Sequence, residues 1–166
     1  MLSLFCLKKM ENHIEFMREA IALSKYNVEN GLGGPFGAVI VKDGVIIAKS
    51  ANKVTTTNDP TAHAEVATIR LACQALSAFT LEGCVIYTSC EPCPMCLGAI
   101  YWARLDKMYY ANTKKDAADI GFDDAFIYEE IDLSPENRKL KSEQIMNKEG
   151  LEVFEMWTKS RTKIEY

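Results

Sequence analysis

Two short segments, His63-Ala64-Glu65 and Pro92-Cys93-Pro94-Met95-Cys96, bring one imidazole, two thiols and one carboxylate into the chain's most reactive vocabulary. An imidazole and two thiolates suit zinc, and three protein ligands leave a fourth tetrahedral position to water. An open position is what separates a catalytic zinc site from a structural one, so the chemistry expected is attack by hydroxide. Glu65 is then a carboxylate not needed as a ligand, available to take a proton from water and deliver it to a substrate.

The spacing says where these groups must sit. Cys93 and Cys96 are three apart at a helix start, so both sulfurs can face one point, and a helix N-terminus favours thiolate over thiol. His63 and Glu65 are two apart, about 200° around a helix of about 3.6 residues per turn. They can share a site only at a helix tip, and Pro60 marks that tip. The expectation is two helix N-termini converging on one ion, with His63, Cys93 and Cys96 as ligands. A rival arrangement adds Cys90, three before Cys93, to complete a closed Cys₃His structural site, but it leaves Glu65 without a task. A thiol redox pair drawn from the same cysteines is a second rival.

The elements that carry these segments can be read from pattern. Ile14, Met17, Ile21 and Val28 recur at helical spacing over residues 12 to 28, and Gly31 with Gly33-Gly34-Pro35 closes that helix. Phe36 to Val41 and Val45 to Ser50 are β-rich and joined by Lys42-Asp43-Gly44, a strong hairpin signal. Asn58-Asp59-Pro60 supplies a cap and a first-turn proline for a buried helix from about Thr61 to Leu76. Cys84 to Thr88 reads as a strand, Pro92 and Pro94 open a helix to about Ala103, and Lys107 to Ala111 reads as a fourth strand. Beyond Thr113 the pattern weakens. Gly150 to Lys159 could form a last helix with Leu151, Phe154 and Trp157 inward. Strands alternating with helices point to an α/β layer over a mixed sheet.

Composition sets bounds on partners. With 166 residues, 48% of them hydrophobic, the chain suits one domain with one sizeable core. A net charge of -4 argues against affinity built on neutralising nucleic-acid phosphates. No apolar run approaches the ~20 residues that cross a bilayer, and Leu2 to Leu7 lacks the leading charge and cleavage site of an export signal. The expectation is a soluble cytoplasmic protein without membrane contact, in which Met1 to Lys9 is a dispensable extension. Six cysteines in such a chain suit metal binding or buried thiols better than disulfides. Cys6, Cys73 and Cys84 read as small hydrophobes.

The pattern His63-x-Glu65 followed by Pro92-Cys93-x-x-Cys96 resembles the signature of the zinc-dependent nucleobase and nucleoside deaminases. That resemblance implies a cytidine-deaminase-like α/β fold with a central mixed five-stranded sheet sandwiched by helices. It also implies hydrolytic replacement of an exocyclic amino group by oxygen, with release of ammonia. A closer likeness runs over almost the whole chain from about Asn12. It is carried by Gly33-Gly34-Pro35-Phe36-Gly37-Ala38, by Asn58 through Glu65, by Tyr87 through Cys96, by Gly121-Phe122-Asp123-Asp124 and by the final Glu165-Tyr166. These segments resemble the bacterial guanine deaminases of the cytidine-deaminase fold. Residues before Met10 and the polar stretch from Leu133 to Lys148 depart most from that family's pattern.

The closer resemblance implies a site residue by residue. His63, Cys93 and Cys96 match zinc ligands and Glu65 the proton shuttle. Asn52 matches a base-binding amide, Phe36 a ring that stacks on a purine, and the Ala64 backbone N–H a donor to the substrate. Asp124 matches a carboxylate beside the amino group being lost, and Tyr166 a C-terminal residue that closes the pocket. The implied partner is a small purine base, guanine first, with no nucleic acid. A homodimer is implied too, in which a single domain spanning 1–166 exchanges its C-terminal segment, about 133–166, between subunits. Taken alone, Asn52 could cap a turn, Phe36 could be core, and Asp123 and Asp124 could be solvated loop acids, although an amide pairs well with a purine edge. Within the superfamily the alternatives are a tRNA adenosine deaminase or another nucleobase or nucleoside deaminase. From a different class, a zinc-stabilised binding module predicts bound metal without ammonia release.

Overall fold

The computed structural model describes residues 4–166, with side chains from residue 12 onward. Helix α1 (Leu4–Glu29) precedes a hairpin of β1 (Gly37–Lys42) and β2 (Val45–Ala51), with α2 (Val54–Thr57), α3 (Ala64–Leu76), β3 (Cys84–Cys90), α4 (Pro94–Trp102), β4 (Lys107–Asn112) and α5 (Lys114–Asp119) following. Residues 4–9, expected to be a dispensable extension, therefore continue α1, while Met1 to Ser3 and the Cys6 side chain lie outside what is described. The chain divides into two compact units after Asp124.

In the first unit the strands lie in the order β2-β1-β3-β4. β1 is antiparallel to β2 and to β3, whereas β3 and β4 are parallel. The hairpin turns on Asp43 and Gly44, both at positive φ, as the Asp-Gly signal predicts. Side chains of β1 and β3 alternate between two cores, the period-two consequence of a pleated strand. Ala38, Ile40, Cys84 and Ile86 join Ala64, Ala72 and Ile100 from the helices α3 and α4. Val39, Val41 and Tyr87 face Ala20, Phe16, Met17 and Leu23 of α1. β1 and β3, each buried along nearly its whole length, are strands both layers share.

α1 lies unusually close to the sheet. A Cβ on Gly37 would stand 2.3 Å from the Ala20 carbonyl oxygen, so only glycine allows that contact. On the same face the Tyr87 hydroxyl pairs with His13 Nδ1, and its ring stacks on Tyr109. Burial pushes the Tyr87 phenol up to about 12. Because the folded chain keeps that proton while the unfolded chain releases it above about 10, stability is full at neutral pH and drains away as pH rises between the two values. A loss on the order of 2 kcal/mol is expected over that window. Melting temperatures from pH 8 to 11.5 should fall more steeply for the natural protein than for Tyr87→Phe; parallel slopes would refute the assignment.

The sheet among the described residues has four strands, not the expected five. The capping box at Thr113 is the local reason, because its hydroxyl accepts the Asp116 N–H while the Asp116 carboxylate accepts the Thr113 N–H at 2.7 Å. That reciprocal cap starts a helix where the chain leaves β4. The second unit then contains α6 (Ala125–Asp132), a short 3₁₀ turn (Pro135–Asn137) and α7 (Asn147–Lys159), and no strand among its described residues. Leu151, Phe154 and Trp157 of α7, expected inward, are exposed. This unit offers no sheet on which such a stripe could pack. No helix of the described residues is long and apolar enough to cross a membrane.

Candidate active site

Both metal-binding segments sit at helix starts, as their spacing requires, but the first does so by a different route. Asn58 does not cap the helix at Thr61; it adopts the left-handed conformation that ends α2. Asp59 closes an Asx-type turn by accepting the Thr61 N–H at 2.8 Å. α3 begins at Ala64, so His63 itself is its N-cap in extended backbone. The 200° separation therefore does not apply, since His63 stands outside the helix and Glu65 inside its first turn. Cys93 is the N-cap of α4 in the same conformation, and Pro94 follows at the start of that helix.

The ligand atoms of His63, Cys93 and Cys96 lie within 4.8 Å of one another. His63 Nδ1 stands 3.6 Å from Cys93 Sγ and 3.5 Å from Cys96 Sγ. Around one tetrahedral zinc, with bonds of roughly 2.1 Å to nitrogen and 2.3 Å to sulfur, those separations come to about 3.6 Å. The donor set and its spacing thus fit zinc. Cys90 is not one of the three. Its thiol ends β3 and points to the Thr113 carbonyl oxygen at 3.5 Å, and burial pushes it up to about 11. A buried thiol donating to a carbonyl is a poor thiolate ligand, which counts against the closed Cys₃His arrangement.

The charges around the triad are coupled. Two sulfurs this close do not both ionise without a cation between them, so Cys93 is held down to about 4, first by the Cys96 thiol, while Cys96 is pushed well up by the same bond. The hydrogen bond with Cys93 also raises His63. Glu65 is buried beside them, with Oε2 3.5 Å from Cys96 Sγ, and desolvation raises its carboxyl above the usual carboxylate range. Asp124 is raised as well, chiefly by burial and then by the negative charge on Cys93.

A cavity of about 500 Å³ opens in front of this cluster, of the size that small-molecule sites have. Phe36, Asn52, His63, Glu65, Cys93 and Asp124 line it. Cys96, in the first turn of α4, and Ala64, in the first turn of α3, are fully buried and are not among the residues that line it. Tyr166 belongs to the second unit, where it is exposed.

The cavity also includes residues that sequence reasoning did not single out as binding. Phe122 meets Phe36 edge to face, with ring centroids 4.9 Å apart. Glu91 accepts the Lys114 N–H at 3.0 Å and donates its own N–H to Asn112 O at 2.8 Å, tying the cysteine segment to the end of β4. The signal for Phe122 was its place beside Asp123-Asp124. Glu91 lies inside the cysteine motif, where the thiols draw the eye.

An α/β domain with two helix tips on a His/Cys/Cys triad and a buried carboxylate beside it defines a zinc-dependent deaminase fold. The chain belongs to the family of the cytidine and deoxycytidylate deaminase zinc-binding region, whose family model matches residues 10–112. It is 56% identical to the guanine deaminase of Bacillus subtilis (strain 168) over 155 residues, 93% of this chain and 99% of that one. The X-ray structure of guanine deaminase from Bacillus subtilis superposes with a TM-score of 0.90 at 55% identity, covering 93% of this chain and 98% of that one. The tRNA-specific adenosine deaminase of Aquifex aeolicus (strain VF5) is 35% identical over 90% of this chain and 96% of its own.

Proposed function

We propose that this protein is a zinc-dependent guanine deaminase, converting guanine and water to xanthine and ammonia. The observation that carries this reading is near-full-length identity of 56% to a guanine deaminase, joined to a cavity lined by His63 and Cys93 of the His/Cys/Cys triad, by Glu65 and by two aromatic rings. His63, Cys93 and Cys96 hold the zinc, which when bound supplies Lewis-acid chemistry and brings the pKa of water towards about 7.

The chain's own residues do the rest. Phe36 offers a face for the purine ring, and Asn52 and the Ala64 N–H hold its polar edge. Glu65, a carboxylate made a stronger base by its burial, accepts the proton of the attacking water and passes it to the ring nitrogen next to C2 as the new C–O bond forms. The second proton moves from the added hydroxyl to the amino nitrogen through Glu65 or Asp124. The C2–N bond then breaks, ammonia leaves and xanthine remains. Asp124 is suited to that second transfer because it lines the cavity with its own carboxyl raised.

The working unit in this reading is a cytoplasmic homodimer built from a single domain of residues 1–166. A C-terminal segment of about 133–166 is exchanged between subunits. The exposed Leu151, Phe154 and Trp157 of α7 support it, since such a stripe finds its cover on a second copy. The substrate is a free purine base and not a nucleic acid, a choice the net charge of -4 supports over a tRNA stem-loop.

Ammonia release from guanine, guanosine, adenine, adenosine, cytosine, cytidine and a tRNA stem-loop tests this directly. Guanine is expected to be turned over at least about a hundredfold better, by kcat/KM, than any other member of the panel. Preference for a different base would overturn the substrate while sparing the deaminase class. No ammonia from any of them, with zinc bound, would favour the binding module.

A further inference from the structure

Asn27, near the end of α1, is buried and does not line the cavity, yet its side chain controls two segments that do. Its Nδ2 donates to Gly34 O at 2.8 Å and to Asn52 O at 3.0 Å. Those carbonyls come from the turn that precedes Phe36 and from the residue that follows β2. The Asn52 N–H in turn donates to Phe36 O at 2.9 Å, closing a loop of hydrogen bonds among the three segments. Asn52 Oδ1 accepts the Val54 N–H at 3.1 Å, which sets the rotation of its amide.

Gly33 packs against both amides. A Cβ there would stand 3.1 Å from Asn27 Nδ2, 3.2 Å from Asn52 O and 3.3 Å from Asn52 Oδ1. The turn is therefore pressed flat onto the asparagine pair, with no slack for the Phe36 backbone to drift away from Asn52. Only a neutral amide of this length meets the need. It has two N–H donors on one nitrogen; a serine hydroxyl has one, and an ionised aspartate has none and faces two carbonyl oxygens.

We propose that Asn27 is a positioning residue for base recognition: its amide fixes the separation and orientation of Phe36, the stacking ring, and Asn52, the edge-binding amide. The inference rests on the guanine reading of the cavity and assigns what holds that recognition pair together. α1 takes part in specificity through this one side chain, from the side of the sheet opposite α3 and α4. The effect falls on binding, because none of these hydrogen bonds is made to the metal triad or to Glu65.

Asn27→Asp and Asn27→Ser test it in the zinc-loaded full chain, with KM and kcat for guanine, zinc content and melting temperature measured together. Asn27→Asp is expected to raise KM about tenfold or more, with kcat within about threefold and zinc unchanged, the pattern of lost uniform binding. Asn27→Ser, which keeps one donor and no repulsion, should shift KM the same way by less, and it serves if the aspartate variant does not fold. A lower melting temperature with KM unchanged in either folded variant would overturn the proposal, leaving Asn27 a purely structural residue. If the natural protein releases no ammonia from guanine, the functional reading fails instead. Amide exchange then decides the positioning role: Asn27→Ser should speed exchange at the Asn52 N–H relative to Val39 and Tyr87, and equal protection would refute it.

Discussion

Glu65→Gln is expected to leave zinc bound at its natural stoichiometry and to cut guanine turnover by about 10²–10⁴-fold, the range that positioned proton transfer contributes. Glutamine keeps the shape and volume of a side chain that is 6% exposed at the first turn of α3. It keeps a carbonyl that can accept a hydrogen bond, but it cannot take a proton from water and return it to a ring nitrogen. Zinc should stay because the three atoms that can hold it belong to His63, Cys93 and Cys96. Removing a buried carboxyl whose desolvation is unfavourable should not destabilise the chain, so melting temperature is expected to hold or rise slightly. Zinc by metal analysis, ammonia release and thermal unfolding on one preparation are the measurements. Turnover within tenfold of the natural protein would remove Glu65 from the mechanism, and loss of zinc would make it a ligand.

The second large effect separates two cysteines only six residues apart. Cys96→Ala should lose zinc and turnover together, while Cys90→Ser should keep both. Cys96 is fully buried with its sulfur 3.5 Å from His63 Nδ1, at the spacing a shared tetrahedral ion demands. Deleting one of three ligands should weaken zinc binding by more than the about 10–100-fold that loss of a supporting group around a ligand costs. The Cys90 thiol is directed instead to the Thr113 carbonyl, which a serine hydroxyl can also reach. Both variants should stay folded, because the two cores on either face of the sheet are built from aliphatic and aromatic side chains and do not depend on the ion. Zinc content against a competing chelator, with circular dichroism to confirm folding, gives the answer. Loss of zinc in Cys90→Ser would restore the closed four-ligand site.

Much of the fold was legible because it is locally encoded. Asp43-Gly44 made the hairpin readable, since few other residue pairs accept positive φ in succession. The Cys93-Pro94-x-Cys96 spacing placed a helix tip under two thiols. Where local signals were ambiguous, the reading slipped. Asn58-Asp59-Pro60 looks like a helix cap because the side chains that cap helices also close turns, and here they close one. The fifth strand came from family likeness, and the capping box at Thr113 turned the chain into a helix instead. The inward face expected of α7 depended on a surface to pack against, which periodicity cannot supply.

The candidate site divides along the same line. The residue types and short spacings of His63, Glu65, Cys93 and Cys96 determine by themselves that two helix tips can carry zinc ligands and a spare carboxylate, because those relations span only a few bonds. The tertiary structure alone decides that Cys96 and not Cys90 joins His63, since spacing repeats every three residues and only the end of β3 turns one thiol aside towards Thr113. It alone brings Phe122 onto Phe36 and lays Asn27 between Gly34 and Asn52. Phe36 and Phe122, and Asn27 and Asn52, are far apart in the chain, and their distances are set by strand register and by the close approach of α1 at Gly37.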